Sequence, residues 1–230
     1  MLNLTRMFHV RAFTQAITVA LLGLFCSGAL AQKKYDPGAS DIEIKLGNIA
    51  PYSGPVSALA VIAKTEAAYF KMINAEGGIN GRKINFISYD DGYSPPKTIE
   101  QARKLVESDE VLALVSVVGT PGNSAIQKYA NSKKVPQFFI VSGATRFADP
   151  KAYPWSMGWG ASYPIEARIY ARYIQENYRG KKIGILYQND DFGKGYIAGL
   201  HEVLGSDAGK LIVSEKSYEV TDPTVQSQIG

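Results

Sequence analysis

Two short stretches concentrate hydroxyls, glycines and free backbone amides: Gly119-Thr120-Pro121-Gly122-Asn123 and Ser142-Gly143-Ala144-Thr145. At the first, Thr120 reads as a helix N-cap and Pro121 as the first helical residue, a pairing that offers amide N–H groups and a hydroxyl to an anion. At the second, Ser142 and Thr145 add hydroxyls beside a glycine that lets a ligand come close to the backbone. Either stretch alone is an ordinary strand-to-helix turn. Two adjacent ones, each following a strand, form a site of the kind that open α/β sheets build outside the carboxyl ends of their strands.

Other constellations point to other chemistry. Gly193-Lys194-Gly195-Tyr196-Ile197-Ala198 is a G-x-G-x-x-A string between a strand and a helix, with Glu215 placed where a ribose-binding acid would sit, as in a nicotinamide-dependent enzyme. Against that reading, five residues separate Tyr187 from Gly193, and Asp190 and Asp191 among them would repel a pyrophosphate. No G-x-S-x-G elbow is present, and His201 lies in the middle of an expected helix with no nucleophile nearby, as a partly exposed structural residue. Asp90 and Asp91 lack further acids or histidines to complete a metal sphere, so strand-end capping or hydrogen bonding between lobes is their expected role. The aromatic group Tyr153, Trp155, Trp159 and Tyr163 fits a cleft wall and boundary packing equally well.

The elements that position these residues follow from periodicity. A first strand over Ile42–Ile49 ends at Pro51-Tyr52-Ser53-Gly54-Pro55, and helical spacing runs from Val56 to Glu76 before Gly77-Gly78 stops it. A second strand spans Lys83–Tyr89, and a helix capped by Ser94 runs to Ser108. Strands at Val111–Ser116 and Val135–Val141 bracket the helix that opens at Thr120. Four strands alternating with three helices predict a parallel, doubly wound sheet. The tract 149–154 breaks the rhythm, and Trp155–Trp159 reads as an extended segment leading out of this lobe. A second series follows: a helix over Pro164–Tyr178, a strand over Lys182–Tyr187, a helix from Gly195 to Leu204, a strand over Leu211–Glu215, and the start of a helix at Asp222-Pro223. The expected organisation is a leader over 1–31, a first lobe over 32–160 and a partial second lobe over 161–230, too small to bury both faces of its sheet.

The leader carries Arg6, His9 and Arg11, an apolar run from Ala12 to Phe25 and a small-residue Ala29-Leu30-Ala31 site, the pattern of a cleaved secretory signal peptide. The run is shorter than the ~20 residues a membrane span needs, and bulky Phe25 fits a lipid-modified Cys26 poorly. Removing the leader takes away two of the 25 basic residues and none of the 21 acidic ones, leaving a nearly neutral protein with no basic stripe for nucleic acid. It also removes the single cysteine, so stability must come from a packed core, as suits a periplasmic domain.

Laid out in order, Ile49-Ala50-Pro51-Tyr52-Ser53-Gly54-Pro55, Ile73-Asn74-Ala75-Glu76-Gly77-Gly78-Ile79-Asn80-Gly81, Tyr89-Asp90-Asp91, Gly119-Thr120-Pro121, Val135-Pro136, Ser142-Gly143-Ala144-Thr145 and Asp191-Phe192-Gly193-Lys194-Gly195 resemble the periplasmic leucine/isoleucine/valine-binding protein family, the solute-binding components of ATP-driven (ABC) importers. The resemblance implies a type I periplasmic binding fold: two α/β lobes, each a doubly wound parallel sheet, closing over a solute, with the second lobe incomplete in this chain. It implies a non-enzymatic receptor without cofactor or metal, a small carboxylate ligand and permease subunits as partners. The ligand is a branched-chain or other apolar amino acid by default, with an aromatic or other organic acid as the alternative. An extracytoplasmic sensor is a further one. The binding set carried over is Tyr52, Ser53, Gly119, Thr120, Ser142, Gly143, Ala144, Thr145 and Phe192. Where the family commonly has a tyrosine, Phe192 keeps the apolar wall but lacks the hydroxyl, and the acidic partner for a ligand ammonium would fall after Gly230.

Overall fold

The computed structural model describes residues 34–230, so the leader expected over 1–31 lies outside the described residues. Residues 36–230 form one compact unit holding two parallel sheets. The larger has five strands in the order β2-β1-β3-β4-β5: β1 (Glu43–Ala50), β2 (Lys83–Asp90), β3 (Ala113–Val115), β4 (Gln137–Ile140) and β5 (Ser156–Gly158). The smaller pairs β6 (Ile183–Gln188) with β7 (Ile212–Tyr218) in parallel. Among the described residues no helix is long and apolar enough to cross a membrane.

The chain moves outward from β1 to β2 and then crosses back over β1 to β3. That reversal makes the gap between the carboxyl ends of β1 and β3 a topological switch point, where loops diverge and leave a crevice. β1 enters the core progressively and its last four residues are buried. Its register with β2, Glu43 opposite Lys83 through Ala50 opposite Asp90, ends both strands level. One face is covered by α2 (Pro95–Arg103), which widens into a π-turn over Lys104–Ser108, and by α3 (Thr120–Lys133). Ile49, Leu105, Val111, Leu114, Val117 and Ile126 pack there. On the other face α1 (Val61–Ala75), entered through a 3₁₀ turn at Ser57–Ala60, closes Ala63 onto Ala50 and Val118.

Several elements differ from the sequence expectation. Trp155–Trp159 does not lead away from the first sheet: β5 pairs in parallel with β4 through Gln137–Ser156 and Ile140–Gly158, because the turn at 145–148 returns the chain to the sheet edge. Thr120 is not the N-cap. Gly119 holds that place with φ +100°, and Thr120 is the first helical residue with its hydroxyl turned elsewhere. Ser94 occupies the N-cap position of α2 without a side-chain cap bond. Asp91 does the fastening instead, accepting from the Tyr93 amide at 2.9 Å and the Thr98 hydroxyl at 2.7 Å.

Following β5, α4 (Tyr163–Asn177) and α5 (Asp191–Leu204) pack closely against each other. The expected start of α5 at Gly195 moves back to Asp191, because Asp190 caps the helix by accepting from the amides of Phe192 and Gly193. After α5, α6 (Ala208–Leu211) leads into β7, and α7 (Gln226–Ile229) follows it. Ile183, Leu211 and Ile212 join Ala171 and Leu204 on the helix-covered face of the small sheet, whereas Leu186 and Val213 face outward, 41% and 62% exposed.

Candidate functional site

Three hydroxyls meet beyond the carboxyl ends of β3 and β4. Thr120 Oγ1 lies 2.7 Å from Ser142 Oγ and 3.2 Å from the Tyr163 hydroxyl, which in turn donates to Ser142 Oγ at 3.4 Å. The Ala144 amide donates to Ser142 Oγ at 3.2 Å. Thr120 comes from the first turn of α3, Ser142 from the turn after β4 and Tyr163 from the first turn of α4, so three separate elements supply one cluster. Three hydroxyls carry three donatable protons. Thr120 is only 2% exposed, and in this arrangement Tyr163 covers it.

The backbone around the cluster is shaped by close approaches. A Cβ on Gly119 would lie 2.4 Å from the Tyr93 ring, and its left-handed φ would strain any other residue. A Cβ on Gly143 would lie 2.6 Å from the Ala161 carbonyl and 2.7 Å from the Tyr163 ring, while the Gly143 carbonyl accepts from the Tyr163 amide at 2.9 Å. Buried Asn123 ties α3 in place, donating to the carbonyls of Val117 and Gly119 at 2.8 Å each.

An aromatic wall adjoins the hydroxyls. Tyr163 stacks on Tyr196 at 5.3 Å and meets Phe192 edge-on at 4.9 Å, and Phe192 meets Tyr196 at 5.5 Å. Tyr93, held at φ +60°, lays its ring over Gly119, and burial pushes its hydroxyl pKa up to about 12 against the opposing effect of Gln188. The Tyr196 hydroxyl donates to Glu166, and burial first, then that carboxylate, raises its pKa. Arg146 bridges the two halves, with Nε on Gln127 Oε1 at 3.1 Å and a terminal nitrogen on Asp191 Oδ2 at 3.2 Å.

The expected site residues therefore divide. Thr120, Ser142, Gly119, Gly143 and Phe192 converge with Tyr163. Ala144 and Thr145, together with Ser142 and Gly143, line an adjoining cleft of about 580 Å³ with Phe147 and Met157. Tyr52 and Ser53 are turned elsewhere. The Tyr52 hydroxyl lies 2.6 Å from Ser88 Oγ, in a chain running through Ser88 to buried Asn48. The Ser53 hydroxyl donates to Asp90 Oδ2 at 2.5 Å, and the amides of Tyr52, Ser53 and Gly92 all donate to Asp90 Oδ1. Burial raises the Asp90 pKa, but these bonds together outweigh it and bring the carboxyl below its usual value. Asp90 thus fastens the β1 loop.

The remaining constellations have packing explanations. A Cβ on Gly193 would lie 2.1 Å from the Gln188 carbonyl, one on Gly195 3.0 Å from Tyr163 Cβ and one on Gly199 2.5 Å from the Pro164 carbonyl. These glycines let α5 lie against β6 and α4, and the helix N-terminus that would receive a pyrophosphate is filled by the Asp190 carboxylate. Glu215 is bonded to His201 at 2.5 Å. The boundary aromatics separate: Trp159 meets Phe139 edge-on at 5.5 Å, while Tyr163 belongs to the hydroxyl cluster. Tyr93, Tyr196 and Arg146 were not singled out by sequence. None of the three carries a sequence signal of its role; the left-handed backbone of Tyr93, unusual for so bulky a side chain, shows only in the structure.

The sequence model of the periplasmic binding protein family matches residues 43–229. A leucine-specific-binding protein of Salmonella typhimurium is 26% identical over 178 residues, covering 76% of this chain and 47% of that protein. The crystal structure of a substrate-binding periplasmic protein from Ralstonia solanacearum superposes with a TM-score of 0.69 at 27% identity, covering 81% of this chain and 52% of that one. A solute-binding protein of an ABC transporter from R. palustris, solved in complex with benzoate, has the same fold, with a TM-score of 0.66 at 24% identity over 80% of this chain and 50% of its own. The chain spans about half the length of the curated relatives it matches. By that match over 43–229, and with its parallel sheets, this chain belongs to the periplasmic binding protein family.

Proposed function

We propose that the protein is the solute-binding component of an ATP-driven importer, working in the periplasm and handing a small carboxylate to membrane permease subunits. The observation that supports this most directly is the cluster of Thr120, Ser142 and Tyr163 hydroxyls beyond the carboxyl ends of β3 and β4. Three convergent O–H donors suit a carboxylate, and charge-assisted bonds of this kind are about twice as strong as neutral ones. In this reading the three hydroxyls exchange the bonds they make to one another for bonds to the incoming carboxylate, and the Tyr163 ring stays part of the aromatic wall. Because Gly143 abuts the same ring, the second turn and α4 move together.

The default ligand is a branched-chain or other apolar amino acid, in keeping with the leucine-specific relative. An aromatic acid is the second reading, favoured by the rings of Tyr163, Phe192 and Tyr196 beside the hydroxyls. The benzoate complex shows that the fold itself accommodates such a ligand. A thermal-shift panel of leucine, isoleucine, valine, phenylalanine and benzoate tests the proposal. A ligand specific to the native state stabilises by about 2.7 kcal/mol at a hundred times its Kd. Stabilisation by an acid but not by its methyl ester is the expected result, and no response to any acid in the panel overturns it.

A further inference from the structure

A second cavity, of about 750 Å³, opens on the α1 side of the larger sheet. Ile62, Glu66 and Tyr69 line it from one face of α1, at the i, i+4, i+7 spacing that aligns side chains along a helix. Ser116, at the end of β3, and Phe139, on β4, supply the floor, both with left-handed backbone angles of φ +49° and +54°. Trp159 closes one side and is 71% exposed despite its contact with Phe139. None of these residues belongs to the hydroxyl cluster.

Glu66 is the one acid in that wall. The Ser116 hydroxyl beside it favours the carboxylate, yet Oε2 is buried and has no hydrogen-bond partner among the described residues. A buried carboxylate oxygen without a donor is costly, so a group that brings a donor and a compensating charge gains from entering. Aromatic faces beside it favour the same kind of guest, since ring quadrupoles attract cations. We propose that this cavity is a binding site for a protonated primary amine with an apolar body, its ammonium donating to Glu66 Oε2 and its body resting on Phe139 and Trp159. A primary ammonium fits better than a quaternary one, because only the former has an N–H to give the orphan oxygen.

The test is a titration of the intact protein with 2-phenylethylammonium, followed by tryptophan fluorescence and by calorimetry, with 2-phenylethanol as the neutral counterpart. Saturable amine binding at least about tenfold tighter than the alcohol is expected, as for a charge-assisted bond. Glu66→Gln is expected to bring the amine down to the level of the alcohol, and Trp159→Ala to weaken both. Benzoate affinity measured on the same Glu66→Gln protein is expected to be unchanged, which separates this site from the hydroxyl cluster. Equal affinity for amine and alcohol, or amine binding indifferent to Glu66→Gln, overturns the proposal. Should Glu66→Gln fail to fold, the parent comparison of amine with alcohol and the Trp159→Ala titration decide it.

Discussion

Thr120→Val isolates one hydroxyl of the cluster while keeping the side-chain shape. Thr120 Oγ1 shares a 2.7 Å bond with Ser142 Oγ and a 3.2 Å bond with Tyr163. A hydrogen bond to a charged acceptor is worth roughly 1.5–3 kcal/mol, but the hydroxyl must give up its present bond, worth about 1 kcal/mol, to make it. The net gain per hydroxyl is then roughly 0.5–2 kcal/mol, a two- to thirtyfold loss of affinity in the variant, at about 1.4 kcal/mol per decade. Ser142 and Tyr163 still bond each other at 3.4 Å, so folding should weaken by only about 1 kcal/mol. Calorimetric titration of parent and variant with the acid selected by the thermal panel, and with its methyl ester, reads this directly. The ester is expected to bind both proteins alike. Unchanged acid affinity in a folded Thr120→Val protein refutes the hydroxyl cluster as the carboxylate site.

Three further outcomes follow from the geometry. Gly119→Ala is expected to destabilise the protein by about 2 kcal/mol or more, read in a denaturant titration, because its Cβ would overlap the Tyr93 ring at a left-handed φ. Arg146→Met should cost roughly 1–3 kcal/mol in chemical denaturation, because it leaves the Oε1 of buried Gln127 without its donor, whereas the ion pair with Asp191, both partners more than a third exposed, adds under about 1 kcal/mol; a smaller loss would show that Gln127 does not depend on Arg146. Burial raises the Glu66 pKa against the opposing effect of Ser116, so the folded state favours the protonated acid. That contribution is fully present below the ordinary glutamate range and is lost as pH rises through the folded value. Urea midpoints measured upward from pH 4 should therefore decline less steeply in Glu66→Gln than in the parent, and parallel slopes would contradict the assignment.

Much of the fold was legible in the chain because its cause is local. The alternation of Ile42 to Leu46, the glycine pair at 77–78 and the proline starts of the helices each act within a few residues, and the strand–helix rhythm then implies a parallel sheet. The turns at 119–123 and 142–145 could be named as candidates because two such turns follow adjacent strands, although either alone is an ordinary strand-to-helix turn. Which atoms they offer was a tertiary decision. Thr120 read as a cap because short-range rules see only its own helix, whereas the approach of β4 and α4 draws its hydroxyl to Ser142 and Tyr163 and leaves the cap position to Gly119. Likewise the 149–154 break looked like an exit from the first lobe until the pairing of β5 with β4, a contact between residues far apart in sequence, returned it to the sheet. Tyr52 and Ser53 were drawn away from the cluster by Asp90, 38 and 37 residues distant. The orphan oxygen of Glu66 had no sequence signal at all, since it exists only because α1 lays that side chain over the end of β3.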